Sequence, residues 1–155
     1  MTTEVPTRPI RRVVSIFAEV VVTGPEALTY GQDAAAPDVA EAIFRKLIGP
    51  SATLQTWVLL LDKRQKTIGV AQASLGPSLS YEADLYFGPA LRVAASRIIV
   101  GRNKPGEDPR PCHSDFELAY RLASAGRLLH VSLLDYLILS DTKYVSLRER
   151  LELRA

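Results

Sequence analysis

The stretch Arg97-Ile98-Ile99-Val100-Gly101-Arg102-Asn103-Lys104-Pro105-Gly106-Glu107-Asp108-Pro109-Arg110-Pro111-Cys112-His113-Ser114-Asp115 decides the fold of this chain. Its first four residues, three of them apolar, read as a short buried strand. The segment from Gly101 to His113 carries Pro105, Pro109 and Pro111, which lower the entropy lost on fixing a loop. Ser114-x-x-Glu117 then has the form of a capping box, so a helix is predicted from here. Phe116, Ala119, Leu122, Ala123 and Leu129 form its apolar stripe. A stiff loop leaving a buried strand and entering a capped helix is where α/β proteins place ligands.

On both sides of this stretch, strand and helix patterns alternate. Trp57-Val58-Leu59-Leu60-Leu61-Asp62 is a continuous apolar run and predicts a strand buried on both faces. The polar turn Lys63 to Lys66 and the run Thr67 to Ser74 complete a hairpin. Upstream, Pro37 at a first helical position, Asp38 and Glu41 near the start and Gly49-Pro50 at the end predict a helix over 37–48. A second helix is predicted over about 81–95, with Ser80 as N-cap and Gly88-Pro89 expected to bend or break it. Val131 to Leu139 reads as another core strand and Asp141-Thr142-Lys143 as a turn. A short edge strand follows at Tyr144-Val145-Ser146, then a helical turn or helix from Leu147 to Leu153. The pattern predicts an α/β fold, a mixed central sheet flanked by helices in a single domain. A flexible N-terminal arm is expected over 1–11 and the domain over 12–155.

Composition excludes several function classes. The chain has 155 residues, with 19 Lys+Arg against 17 Asp+Glu, so no dominant electrostatic footprint for DNA exists. Its one cysteine, Cys112, excludes an internal disulfide and leans toward the cytoplasm. With only two histidines, His113 and His130, common zinc sites are hard to build. No apolar run approaches the roughly 18–20 residues of a membrane span. Arg11-Arg12 ahead of an apolar stretch has the outline of an export signal. However, Glu19 interrupts that stretch and Val and Ile dominate it, so a first strand over 12–22 is predicted instead. The common dinucleotide, phosphate-loop, zinc-helix and serine-hydrolase motifs are absent. Gly76-Pro77-Ser78 lacks the second glycine of a nucleophile elbow. Cys112-His113 are sequence neighbours, which does not set a thiolate against a base.

At the proline-rich loop the chain resembles the RadC-type JAB/MPN domain, the bacterial branch of the JAMM metalloprotease-like fold. That family carries His-x-His-Pro-Ser-Gly-Asp-Pro-x-Pro-Ser-x-x-Asp between a buried strand and a helix. Asn103, Pro105, Asp108, Pro109, Pro111 and Asp115 stand at matching places without a gap. Trp57 to Asp62, Phe87-Gly88-Pro89-Ala90-Leu91, Ala125 to Leu129, Leu133-Leu134-Asp135 and Tyr144 to Glu149 extend the likeness, which covers about residues 12–152.

The departures fall on the chemistry. The resemblance implies a zinc held by the two histidines and the aspartate, with a glutamate before the first core strand and the signature serine assisting the bound water. Here the histidine positions are Arg102 and Lys104, the serine position is Cys112 and the glutamate position is Leu54. Tyr136 replaces a histidine after Leu-Leu-Asp, and Asp115 alone is kept. Arginine and lysine have donors and charge but no lone pair for a metal. The expectation is a pseudo-enzyme with no cofactor, no metal and no catalytic residue. Its former pocket is expected to be lined by Leu54, Arg102, Lys104, Arg110, Cys112 and Asp115. The implied role is a protein-interaction or regulatory module that pairs with another JAB/MPN subunit or with itself. Two alternatives remain. Arg102, Lys104 and Arg110 could hold an anion or a nucleic-acid backbone beside a helix N-terminus. A rearranged hydrolase linked to DNA repair could use Asp115, His113, Cys112 or Asp108. Asp115 is also expected to pair with Arg102 and Lys104.

Overall fold

In the computed structural model, which describes residues 31–50, 53–75, 80–106 and 108–151, the apolar runs become strands of one sheet. The arm over 1–11, the strand over 12–22, the Gly76-Pro77-Ser78 turn and the chain beyond Leu151 lie outside the described residues. The elements are α1 (Pro37–Ile48), β1 (Gln55–Leu61), β2 (Thr67–Leu75), α2 (Ala83–Arg92), β3 (Arg97–Asn103), α3 (His113–Leu129), β4 (Ser132–Leu139), β5 (Tyr144–Ser146) and α4 (Leu147–Leu151). The sheet runs β2-β1-β3-β4-β5. Only the β3/β4 pair is parallel, as its crossover through α3 demands, and the other pairs are antiparallel. The result is a mixed α/β sheet with helices on both faces in one small domain.

The period-2 alternation of strands sorts the core into two layers. Val58 and Leu60, Ile98 and Val100, and Tyr136 and Ile138 pack with Phe87 and Ala90 of α2 and Leu118 and Leu122 of α3. Leu59 and Leu61, Ile99, and Leu137 and Leu139 pack with Ala40, Ile43 and Phe44 of α1. Because β1 is apolar on both faces, it sits inside the sheet, as its unbroken apolar run predicts. Pro37 opens α1 and Gly49, with φ of 63°, ends it. No described helix is long and apolar enough to cross a membrane.

Four local expectations are corrected. Helix α2 begins at Ala83 with Glu82 as N-cap; Ser80 lies outside it, its hydroxyl accepting the Glu82 N–H at 3.3 Å. Gly88-Pro89 does not break α2, because Tyr86, Phe87 and Ala90 are anchored in the core and the helix ends three residues after the proline. Strand β3 reaches Asn103 rather than Val100, since parallel pairing continues to Asn103 opposite Leu139. Helix α3 starts at His113, two residues earlier than expected, and its N-cap is Cys112, not Ser114. Asp115 is therefore the N3 residue and accepts the Cys112 backbone N–H at 2.9 Å. The box that forms is Cys112-x-x-Asp115, because Asp115 is fixed from the opposite side by the sheet.

Candidate functional site

The extension of β3 places Arg102 on the same face as Val100, pointing toward α3. From there its guanidinium grips Asp115 with two parallel bonds. Nε donates to Oδ1 at 2.5 Å and Nη2 to Oδ2 at 2.6 Å. Nη1 donates to the Asn103 carbonyl at 3.3 Å, and Nη2 lies 3.8 Å from the Cys112 sulfur. The aspartate collects more donors: Tyr136 Oη to Oδ1 at 2.9 Å, and the Cys112 thiol to Oδ2 at 3.1 Å. With the Cys112 N–H, five donors converge on one carboxylate.

Burial makes these bonds matter. Asp115 and Tyr136 are fully buried and Arg102 is 8% exposed. Among the described residues no buried side-chain nitrogen or oxygen lacks a hydrogen-bond partner. Burial by itself pushes the Asp115 carboxyl up. The hydrogen bond and charge of Arg102, with the two bonds from Cys112, outweigh it and hold the group below the usual carboxylate range. Burial likewise disfavours the Arg102 cation, and the Asp115 partner more than restores it. Burial and the neighbouring carboxylate push the Tyr136 phenol well up, so it stays a donor at neutral pH.

The other expected pocket residues are elsewhere. Lys104 follows the end of β3 and turns along the loop, its Nζ donating to the Arg110 carbonyl at 2.7 Å. It makes no ion pair with Asp115, which corrects that half of the expected pairing. Arg110 is exposed and bonded to Asp108 at 2.7 Å. Leu54 is half-buried just before β1. Its flanks are held by Asn103, whose amide donates to the Thr53 carbonyl at 2.9 Å and accepts the Gln55 N–H at 2.7 Å. Thus Arg102, Cys112 and Asp115 converge, while half-buried Lys104 and exposed Arg110 bond within the loop, apart from that group. Tyr136 belongs to the converging group although it was not among the expected pocket residues. Its signal in the sequence was a phenol after Leu-Leu-Asp, at the family's histidine position.

This donor set does not fit a zinc ion. Zinc needs imidazole, thiolate or carboxylate lone pairs in a tetrahedral set. The converging residues offer one carboxylate, both of whose oxygens already accept bonds from the protein, and one thiol, fewer than the three protein ligands of even an open zinc site. Among the described residues no group of three or more His, Cys, Asp or Glu side chains could hold a metal ion.

Residues 34–153 match the family described as a RadC-like JAB domain. The chain belongs to this family. A UPF0758 protein of Syntrophotalea carbinolica is 30% identical over 130 residues, covering 82% of this chain and 57% of the relative. One from Thermosynechococcus vestitus is 34% identical over 116 residues, 73% of this chain and 46% of the relative. One from Geobacillus is 38% identical over 86 residues, covering 56% and 37%. The RadC-like JAB domain described here therefore spans about half the length, or less, of these curated relatives. The matched region contains the whole Arg102–Asp115–Tyr136 network.

Proposed function

We propose that this RadC-like JAB domain is catalytically silent and acts as a protein-interaction or regulatory module, pairing with another JAB/MPN subunit or with a second copy. The observation that carries the reading is the saturated Asp115 carboxylate, closed by Arg102, Tyr136 and Cys112. A hydrolase of this fold would need that carboxylate free for a metal and a proton acceptor where apolar Leu54 stands. The anion-binding alternative gains nothing from the geometry. The Arg102 guanidinium is consumed internally, Arg110 is paired with Asp108, and Lys104 is bonded to a carbonyl.

The test uses the full chain, dialysed against a weak chelator. Elemental analysis is expected to find far less than one zinc per chain, and peptide hydrolysis to match the buffer control. Sedimentation velocity, with the chain alone and mixed with a RadC-like JAB protein that retains both signature histidines, is expected to show a self-associated species or a defined complex. About one tightly held zinc per chain, or a monomer that ignores the second protein, would overturn the reading.

A further inference from the structure

The surroundings of Arg102 form a hollow built to hold a cation. Its walls come from three parts of the chain: the Asn103 carbonyl on β3, the Cys112 sulfur at the end of the loop and the Asp115 carboxylate on α3, which the Tyr136 hydroxyl on β4 holds from behind. A buried carboxylate without a counter-charge is costly, so the hollow has to be filled by something positive. The shape it offers is specific. Two carboxylate oxygens face two N–H groups of one planar fork, an arrangement a guanidinium matches and a spherical ion does not.

We infer that this hollow is a guanidinium-specific cation site filled by the chain's own Arg102. The order of the loop at 104–106 and 108–112 and of the first turn of α3 is thereby independent of any metal. The inference rests on the non-catalytic reading of the site and adds how that site is regulated: its face is permanently formed rather than gated by zinc. It follows that the hollow, once emptied, accepts free guanidinium in preference to zinc, sodium or ammonium.

Thermal unfolding of the full chain tests this. The wild-type midpoint is expected not to move with a strong chelator or with added zinc. Arg102→Ala is expected to lower it by about 10 °C, the scale of an uncompensated buried charge in a domain of this size. Guanidinium in the low-millimolar range, far below denaturing concentrations, should restore most of that loss, and hydrogen-exchange protection at 112–118 should return with it. Equal sodium, ammonium or zinc chloride should not. A rescue by zinc, or no rescue by guanidinium beyond that of sodium, would overturn the inference. If Arg102→Ala does not fold, Arg102→Lys supplies the second readout. Charge without the fork should leave a midpoint clearly below wild type, and an unchanged midpoint would overturn the inference. The two proposals fail separately. A wild-type chain that holds zinc defeats the non-catalytic reading, whereas a zinc-free chain without guanidinium rescue defeats only the cation site.

Discussion

Asp115→Asn is expected to lower the unfolding free energy at pH 7 by about 3–5 kcal/mol, the cost of breaking a buried ion pair by removing one partner. The amide has nearly the shape of the carboxylate but no charge, so the guanidinium of Arg102, 8% exposed, is left buried and uncompensated. The new NH₂ also replaces one of two acceptors and meets donors at either position: Arg102 Nε and Tyr136 Oη at Oδ1, or Arg102 Nη2 and the Cys112 N–H at Oδ2. Chemical denaturation at constant slope measures this loss. The pH dependence carries the same signature. Because the Asp115 carboxyl is held below its ordinary value of 3.8, its stabilisation is fully present above that pH and is lost as pH falls through the folded value. Asp135 has the opposite sign. Burial raises its carboxyl, so its contribution is present below 3.8 and is lost as pH rises through its folded value. Subtracting the variant from wild type cancels Asp135. The difference should stay flat from about pH 5 to 8 and close below about pH 4. A loss under about 1 kcal/mol at pH 7 would place Arg102 in contact with solvent, where ion pairs are weak.

Gly126→Ala is expected to cost about 2–4 kcal/mol, although alanine in place of a helical glycine ordinarily gains about 1 kcal/mol. Gly126 lies in the last turn of α3. A Cβ there would collide with the Val131 backbone carbonyl and press on the Phe87 ring at 3.3 and 3.4 Å. The chain cannot retreat, because the Gly126 carbonyl accepts the N–H groups of both His130 and Val131 and the helix turns straight into β4 over that residue. His130 takes a φ of 58° to make this turn. Urea unfolding of the variant beside wild type measures the effect. A gain in stability would mean that α3 and the start of β4 are further apart than described.

Much of the fold was legible because apolar spacing carries it. The unbroken Trp57–Leu61 run and the 37–48 helix with its proline start and glycine stop translate into single elements. What the sequence hid were features set by tertiary contacts. Ser114-x-x-Glu117 is the better capping box on local chemistry. Arg102, reaching across from β3, nevertheless fixes Asp115 and moves the cap to Cys112. Gly88-Pro89 is a helix breaker in isolation, yet the burial of Phe87 and Ala90 holds the turn together. The site divides along the same line. That Asp115 would meet a basic residue followed from the resemblance, which sets Arg102, Lys104 and Asp115 at the family's three metal-ligand positions. Which of Arg102 and Lys104 it meets depends on strand length: β3 ends at Asn103, so Arg102 still obeys the strand's alternation while Lys104 follows the loop. Tyr136 joins through the parallel pairing of β3 with β4, a contact between segments more than thirty residues apart.

A double-mutant cycle on Asp115 tests most directly whether the chain's own cation fills the site. Arg102→Met and Lys104→Met are each combined with Asp115→Asn and read by denaturant unfolding at pH 7. A coupling of about 2–3 kcal/mol is expected for Arg102 with Asp115, on the scale reached by residues in direct contact. For Lys104 with Asp115 the coupling should lie within error of zero, since that ammonium is bonded to the Arg110 carbonyl. Zero coupling at Arg102, or a larger coupling at Lys104, would contradict the account.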